Sequence, residues 1–144
     1  MVAPMPDIVV KKDGTERLAG EFKGPHSTSV GVHTDLVKLG NELKFMLGSM
    51  VRNDPSENVY VVGILLQGFR CTTYKLDLIY NGVYRLIELS SANLMINGLD
   101  FFPAIKVFEN MAQLKNLIIT PNHHAKQPLS WRRPSFFPPI DISV

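Results

Sequence analysis

The sequence predicts one mixed domain of the α/β (α+β) class, in which an N-terminal β-hairpin, a helix, three consecutive strands and a second helix follow one another. Three observations support this fold class. Two short apolar runs near the N-terminus flank the turn residues Asp13-Gly14, two later stretches repeat apolar residues at helical spacing, and between them lie three strand-like runs. Elements of both kinds in one short chain are expected to bury a shared core.

The chain has the size and composition of a single globular domain. Of its 144 residues, 45% are hydrophobic and 19% are charged, which is the ordinary balance of a folded domain. No run approaches the roughly 18 apolar residues that span a bilayer, and the N-terminus does not have the pattern of a secretion signal. We therefore expect an intracellular protein without membrane contact, in the nucleus or the cytoplasm. Cys71 is the only cysteine, which excludes an internal disulfide and multi-cysteine zinc sites.

The opening hairpin is predicted from the runs DIVV and RLAGEFK on either side of Asp13-Gly14. The length of the turn decides which side chains share a face of the hairpin. A two-residue turn at Asp13-Gly14 would place Asp7 opposite Gly20, and side-chain alternation would then send Asp7 and Glu21 to opposite faces.

A three-residue loop is the other possibility for this hairpin. A loop at 12–14, with its glycine in the left-handed conformation, would place Asp7 opposite Ala19. Asp7, Glu21 and Lys23 would then share one face, with the two acids about 7 to 8 Å apart at Cα. The sequence leaves both turn lengths open.

The first helix is predicted to begin after Thr34, whose hydroxyl can cap its N-terminus. The segment RNDPSEN is expected to end it. Lys38 and Glu42 lie one turn apart on this helix and can form an i,i+4 ion pair. Apolar residues recur at three- and four-residue steps along it, namely Leu36, Leu39, Leu43, Met46, Leu47 and Met50.

Three consecutive strands are predicted from the runs VYVVGILL, FRCTTYKLDLI and VYRLIEL. The first is almost entirely apolar, as a buried strand is. The last two are separated by Tyr80-Asn81-Gly82, a hairpin signal, so we expect an antiparallel meander. Arg70, Lys75 and Arg85 lie on these strands, where they can contact phosphates or mark a solvated face.

The second helix is predicted to start near Pro103, which suits a first helical turn, and to end before Pro121. The residues that mark its faces are Ile105, Phe108, Met111, Ala112 and Leu114 or Lys115. The domain is therefore expected to span 1–120. The proline-rich segment 121–144 is expected to be an extended tail, because proline is poorly compatible with helices and central strands.

Pro6-Asp7 is followed by a hairpin and then by Glu21-Phe22-Lys23, at the end of a strand that precedes an amphipathic helix. This arrangement resembles the PD-(D/E)XK nuclease superfamily. The resemblance covers about 6–66 and implies a restriction-endonuclease-like core. Segment 68–89 is also similar to strand segments of uncharacterised fungal proteins that carry such domains. Only residues 1–5 precede Pro6. We therefore expect that the opening helix and first strand of the family are missing and that the chain is a truncated member.

The resemblance implies hydrolysis of DNA phosphodiester bonds with Mg²⁺, or Mn²⁺, as the cofactor. Asp7 and Glu21 would be the metal ligands, and the backbone carbonyl of Phe22 would add a third oxygen. This set fits the chemistry, because Mg²⁺ takes one or two carboxylates together with waters and phosphate oxygens. Lys23 is the signature lysine at the reacting phosphate, and Lys38 is the predicted auxiliary catalytic residue.

Two alternatives remain open from the sequence. The first is a catalytically inactive remnant of the nuclease fold that binds nucleic acid or a protein partner. The second is an unrelated α+β interaction domain, in which the opening segment is an exposed hairpin. The missing first strand of the family would leave an exposed sheet edge, through which the chain can form a homo-oligomer.

Histidines are weaker candidates for chemistry. His26 and His33 flank the loop before the first helix, where an exposed histidine is the ordinary case. His123-His124 resembles a metal tract, but adjacent side chains of an extended segment point apart.

Overall fold

The elements follow the predicted order of hairpin, helix, three strands and helix. In the computed structural model, the described residues are 5–24, 30–53, 59–80, 83–94, 97–99 and 101–120. The elements are β1 (Ile8–Lys12), β2 (Thr15–Lys23), α1 (Val30–Asn53), β3 (Tyr60–Gln67), β4 (Arg70–Tyr80), β5 (Val83–Asn93) and α2 (Phe102–Ile119). The mixed α+β class predicted from the sequence is therefore confirmed.

The five strands form one mixed sheet in the order β1-β2-β3-β4-β5. β2 and β3 are parallel, and the other neighbouring pairs are antiparallel. α1 connects the two parallel strands, because a parallel pair needs a crossover that returns the chain to the starting end of the sheet. The C-terminal ends of β2 and β3 therefore lie at the same end of the sheet.

The two helices cover opposite faces of the sheet. On β2, Ala19 packs in the cluster that contains the leucines of α1, and its neighbour Leu18 packs with Leu114 of α2. On β3, Val61 and Val62 divide between the same two clusters. Since successive strand residues point to opposite faces, we refer below to the α1 face and the α2 face.

The turn of the β1–β2 hairpin has two residues. Lys12 pairs with Thr15, and Asp13 and Gly14 between them have φ angles of 52° and 78°. Positive φ at both central positions is the signature of a type I′ turn, which Asp-Gly favours. The three-residue loop considered from the sequence is therefore wrong.

A β-bulge follows the turn and shifts the pairing. Lys11 pairs with Glu16, whereas Val10 pairs with Leu18. Arg17 is thus an extra residue on β2 that has no counterpart on β1. Such a bulge changes the face of every side chain beyond it relative to the partner strand.

The bulge also changes the residue that lies across from the start of β1. Ile8 pairs with Gly20, and Val9 pairs with Ala19. Neither Gly20 nor Ala19 is therefore the partner of Asp7, and both registers considered from the sequence are wrong. The bulge shifts the β1–β2 pairing by one residue, and neither of the two predicted registers included this shift.

α1 begins at Val30, so the prediction that Thr34 caps its N-terminus is wrong. Hydroxyl residues also precede Val30 in the sequence HSTS, and Thr34 was only one of several possible capping positions. The predicted inner face of this helix is confirmed. Leu36 is partly buried against the α1-face core, and the buried residues are Leu39, Leu43, Met46, Leu47 and Met50.

β3, β4 and β5 form the predicted antiparallel meander. Tyr80 pairs with Val83, while Asn81 and Gly82 of the predicted turn lie outside the described residues. Cys71 is buried in β4, as expected for a small core residue. Burial raises the pKa of its thiol, which makes it a poor nucleophile.

An ion pair joins β4 and β5 on the α2 face. Asp77, which is 1% exposed, accepts hydrogen bonds of 2.8 and 2.7 Å from Arg85. Lys75 Nζ lies 3.9 Å from Asp77 Oδ2 and 4.6 Å from the centre of the Tyr60 ring. Lys75 and Arg85 are thus engaged with Asp77 inside the fold, and the bidentate geometry of Arg85 is the strong form of such a contact.

α2 has Pro103 in its first turn and ends before Pro121, as predicted. The residues predicted to mark its faces differ in burial. Leu114 is 3% exposed and belongs to the core, whereas Ile105 and Phe108 are 57% and 73% exposed. Only the stripe of α2 that contains Leu114 is therefore covered by the sheet.

An apolar cleft of about 450 Å³ lies between the β1–β2 hairpin and the C-terminal half of α2. Its lining includes Ile8, Val10, Phe22 and Ile118. Phe22 is 43% exposed, so it does not anchor β2 in the core, although it is the apolar residue between Glu21 and Lys23. Part of the Phe22 ring is exposed in this cleft.

β1 and β5 are the edge strands of the sheet. Association of copies through such an edge stays a prediction. The segment 121–144, predicted to be an extended tail, lies outside the described residues. Among the described helices, none has the length and hydropathy needed to span a membrane.

Candidate functional site

The candidate site is built on the C-terminal end of β2. Ala19 faces α1, and alternation along the strand places Glu21 and Lys23 on the same face. Glu21 is 1% exposed, whereas the side chain of Lys23 is 45% exposed. β2 therefore brings a buried carboxylate and an accessible ammonium group to the α1 face.

Asp7 lies beside the part of β2 that carries Glu21. Its backbone N–H donates to the carbonyl of Gly20 at 3.0 Å, and its Oδ2 accepts a 2.8 Å hydrogen bond from the N–H of Phe22. These two contacts lie on either side of Glu21 along the strand. The charge of Asp7 contributes to raising the pKa values of Lys38 and Glu42 on α1, so the Asp7 carboxylate lies on the α1 face together with Glu21.

The backbone of Phe22 faces the same edge of β2 as Asp7. In a strand, the N–H and C=O of one residue point toward the same neighbouring strand. The Phe22 N–H donates to Asp7, so the Phe22 carbonyl also points toward the β1 side. The β1–β2 pairing ends with Ile8 and Gly20, and this carbonyl therefore lies beyond the ladder, next to Asp7.

Lys38 connects α1 to Glu21. Its Nζ lies 2.8 Å from each carboxylate oxygen of Glu21 and 3.8 Å from Oε1 of Glu42. The hydrogen bond to Glu21, with the charges of the nearby carboxylates, raises the pKa of Lys38, so its ammonium group is charged at neutral pH. The side chain is 42% exposed, which leaves the ammonium group accessible to a ligand.

Glu42 is a second buried acid in the site and is 2% exposed. Neither of its carboxyl oxygens accepts a hydrogen bond from another described residue. Burial, a hydrogen bond to Glu21 and the negative charge of Glu21 raise the pKa of Glu42 to about 8. Glu42 is therefore largely protonated at neutral pH, and its proton relieves the repulsion between the two buried acids.

Lys23 pairs with a different acid. Its Nζ lies 3.7 Å from Oδ1 of Asp35 on α1, and Asp35 is 5% exposed. The structure therefore brings Asp7, Glu21 and Lys38 together and places Lys23 beside them, next to Asp35. The lysine in contact with Glu21 is therefore Lys38, the predicted auxiliary residue, rather than Lys23, the predicted signature lysine.

The sequence reasoning missed Asp35 and treated Glu42 only as an ion-pair partner of Lys38. A signal for both was present in the sequence. Asp35, Lys38 and Glu42 recur at steps of three and four, on the side of the helix that also carries Leu39. Polar residues within the apolar stripe of an amphipathic helix have to be satisfied by groups of the facing element.

The histidine candidates are not placed. His26 and His123-His124 lie outside the described residues, as does the side chain of His33. The aromatic and basic segment WRRPSFF is also outside them. The site therefore consists of acids and lysines on β2, α1 and the residue before β1.

The donor set fits a hard divalent cation. Asp7 and Glu21 supply carboxylate oxygens, and the Phe22 carbonyl points to the same edge. Within the described ranges, no group of three or more His, Cys, Asp or Glu side chains is placed to hold a metal ion. Two carboxylates are nevertheless a common protein contribution to Mg²⁺, which retains waters and binds substrate phosphates. A cation at Glu21 has to compete with the ammonium group of Lys38.

Comparisons with protein-family models, with curated proteins and with solved structures found no match. The suggested relationship to the nuclease superfamily therefore depends on the Pro6-Asp7 and Glu21-Phe22-Lys23 motifs and on the surrounding elements. The geometry of the site itself is the basis of the functional inference, because a fold alone does not determine function.

Proposed function

We propose that the chain hydrolyses phosphodiester bonds of DNA in a reaction that requires Mg²⁺ or Mn²⁺. The observation that carries the proposal is the placement of Asp7 and Glu21 on one face and at one end of the sheet. The succession of hairpin, helix and parallel strand around them also supports a restriction-endonuclease-like core of the PD-(D/E)XK type.

Asp7 and Glu21 would hold the cation, with the Phe22 carbonyl as an additional ligand. When bound, the cation would polarise the scissile phosphate and favour deprotonation of a water molecule. The exposed carboxylate of Asp7 accepts the Phe22 N–H at Oδ2, and a carboxylate has further lone pairs for a ligand. Glu21 is held by burial and by Lys38, which limits its freedom before the cation binds.

The two lysines would stabilise negative charge on the reacting phosphate. Lys38 and Lys23 lie on the α1 face, and their side chains are 42% and 45% exposed. A fixed ammonium group beside a phosphoryl oxygen stabilises the charge that develops during attack by water. Lys38 is the closer of the two to Glu21, and Lys23 occupies the signature position of the motif.

The ion pair between Lys38 and Glu21 favours a second, non-catalytic function. Lys38 Nζ is 2.8 Å from both carboxylate oxygens of Glu21, so an internal cation already neutralises this acid. A chain in which this ion pair persists would be a catalytically inactive member of the same fold that binds nucleic acid or a protein partner. It would bind DNA without cleaving it.

The test is an incubation of the purified full chain with supercoiled plasmid and Mg²⁺ or Mn²⁺. We expect nicked and linear products that EDTA prevents. Asp7→Asn should slow cleavage by about a hundredfold or more, because an amide is a much weaker ligand for a hard cation than a carboxylate. Asp13→Asn is the matched control, since it makes the same change at the hairpin turn, where asparagine tolerates positive φ.

Two results of this assay would decide against the proposal. One is intact plasmid with wild-type protein in both metals, which would favour the non-catalytic alternative if the chain still binds DNA. The other is equal cleavage by the Asp7→Asn and Asp13→Asn variants.

A further inference from the structure

A row of polar residues crosses the end of the sheet next to the site. Lys23 pairs with Gln67, Gln67 with Arg70, and Arg70 with Asn93. Residues directly opposite on adjacent strands point to the same face, so all four lie on the α1 face with Lys23. We call Lys23, Gln67, Arg70 and Asn93 the cross-strand row.

The cross-strand row is continuous with the candidate site. One step toward the core, the pairing aligns Glu21, Leu65, Thr72 and Ser91 on the same face. The N–H of Gly68, in the turn between β3 and β4, donates to the carbonyl of Lys23 at 2.9 Å. This hydrogen bond fixes the β3–β4 turn against the end of β2.

Arg70 is the residue of this row whose side chain is best suited to bind an anion. It is exposed, yet its Nε donates to Ser91 Oγ at 2.8 Å, and Ser91 Oγ lies 3.3 Å from Thr72 Oγ1. The guanidinium is therefore oriented before any ligand binds, which reduces the entropy lost on binding. Its terminal nitrogens carry four further N–H groups in the planar fork that matches phosphate.

The charge of Arg70 differs from that of the other meander cations. Lys75 and Arg85 are both engaged with Asp77. In the described part of the chain, no carboxylate forms an ion pair with Arg70. Its positive charge is therefore available to an external anion, whereas the charges of Lys75 and Arg85 are largely offset inside the fold.

The distance from the site suits a polymer rather than a single phosphate. Neighbouring strands lie about 4.8 Å apart, so β4 is about 10 Å from β2. That separation places Arg70 within a few nucleotides of a phosphate bound at Asp7 and Glu21, on the scale of the phosphate repeat of a nucleic acid strand. A nucleoside monophosphate has a single phosphate and cannot occupy both positions with phosphate groups.

We propose that Arg70, oriented by Ser91, binds a backbone phosphate of the nucleic acid a few nucleotides from the phosphate that reacts. The identity of this ligand rests on the proposed function. The contact positions the strand without reading its bases, as phosphate contacts do. Ser91 is a positioning residue in this arrangement, and Arg70 is the binding residue.

The test is fluorescence anisotropy of the full chain with a labelled single-stranded DNA oligonucleotide and with the matching duplex, in EDTA to prevent cleavage. Arg70→Ala should weaken binding about tenfold and lower the slope of log K against log salt concentration by about one. Ser91→Ala should weaken binding less and leave the slope unchanged, because the charge remains. Lys106→Ala is the control, since it removes an exposed lysine of α2 whose Nζ lies 3.4 Å from Glu109.

Equal effects of Arg70→Ala and Lys106→Ala would overturn the proposal, and so would failure of the wild-type chain to bind either oligonucleotide. The binding assay and the plasmid cleavage assay together distinguish the Arg70 contact from the proposed hydrolysis. Loss of binding in Arg70→Ala without any cleavage by wild type would support the contact and contradict the proposed hydrolysis. Cleavage by wild type with unchanged binding in Arg70→Ala would do the reverse.

Discussion

Replacement of Glu21 by glutamine should reduce metal-dependent cleavage by about a thousandfold or more, while the protein stays folded and still binds DNA. Glutamine has the shape of glutamate but lacks the charge that holds a divalent cation. Its amide oxygen can still accept the hydrogen bond from Lys38, and the negative charge next to Glu42 is removed. Glu21→Ala is a poorer test, because it would leave a cavity and an unsatisfied Lys38 in the buried site.

The measurement is the initial rate of plasmid cleavage in Mn²⁺, with thermal unfolding and oligonucleotide binding of the same preparations. Glu16→Gln is the matched control, since it changes a glutamate of the same strand whose side chain is 42% exposed and lies 3.8 Å from Lys11. We expect wild-type cleavage from Glu16→Gln. Cleavage by Glu21→Gln at the wild-type rate would show that the activity does not depend on this site.

Replacement of Glu42 by glutamine should stabilise the protein at pH 8 and above and remove much of the loss of stability with rising pH. The pKa of Glu42 is raised from 4.5 to about 8 in the folded chain, mainly because burial disfavours its charged form. Between these values the folded state holds a proton that the unfolded state has lost. The unfolding free energy therefore falls as pH rises through this window, by at most about 1.4 kcal/mol per pH unit.

The sign of this dependence is the opposite of that for an acid stabilised by a salt bridge. Below about pH 4.5 both states are protonated at Glu42, and the carboxyl imposes no penalty. Above about pH 8 it is ionised in both states, and the folded state carries the full cost of a buried charge near Glu21. Glutamine cannot ionise, so the variant should be more stable by roughly a few kcal/mol at the alkaline end.

Chemical denaturation of wild type and Glu42→Gln from pH 5 to pH 9, in EDTA, measures this difference. Glu109→Gln is the control, because Glu109 is an exposed acid of α2, 62% accessible at its side chain. Its pH dependence should match that of wild type. Parallel curves for wild type and Glu42→Gln would mean that Glu42 does not hold a proton in the folded state, and the account of the buried acids would be wrong.

Much of the fold could be predicted because its signals are local. Asp13-Gly14 predicts a hairpin turn, although it leaves open whether the turn has two or three residues, and the pattern from Leu36 to Met50 repeats at helical spacing. The almost uninterrupted apolar run of β3 indicates a strand buried on both faces. Each of these signals is contained within a short stretch of sequence and was borne out.

The shared face of Asp7 and Glu21 could not be predicted in the same way. It depends on the bulge at Arg17, which is defined by the pairing of two strands rather than by either strand alone. With the two-residue turn and no bulge, the two acids would lie on opposite faces. From the sequence, the two acids could share a face only with a three-residue turn. In the structure they share it because of the bulge, and the turn has two residues.

The partners of the lysines were also beyond the sequence. Which lysine reaches Glu21 depends on how α1 lies across β2, and this packing brings Lys38 to Glu21 and Asp35 to Lys23. The burial of Glu42 follows from the same packing. The spacing of these residues on α1 restricts them to one side of the helix, but it does not say what they face.

The central claim is that Asp7 and Glu21 together hold a divalent cation. Its most direct test is a titration of the purified chain with Mn²⁺, in which electron paramagnetic resonance measures the free and bound ion. We expect one bound Mn²⁺ per wild-type chain and none in the double variant Asp7→Asn, Glu21→Gln, with circular dichroism showing that both proteins are folded. Equal uptake by the two proteins, or no uptake by the wild-type chain, would contradict it.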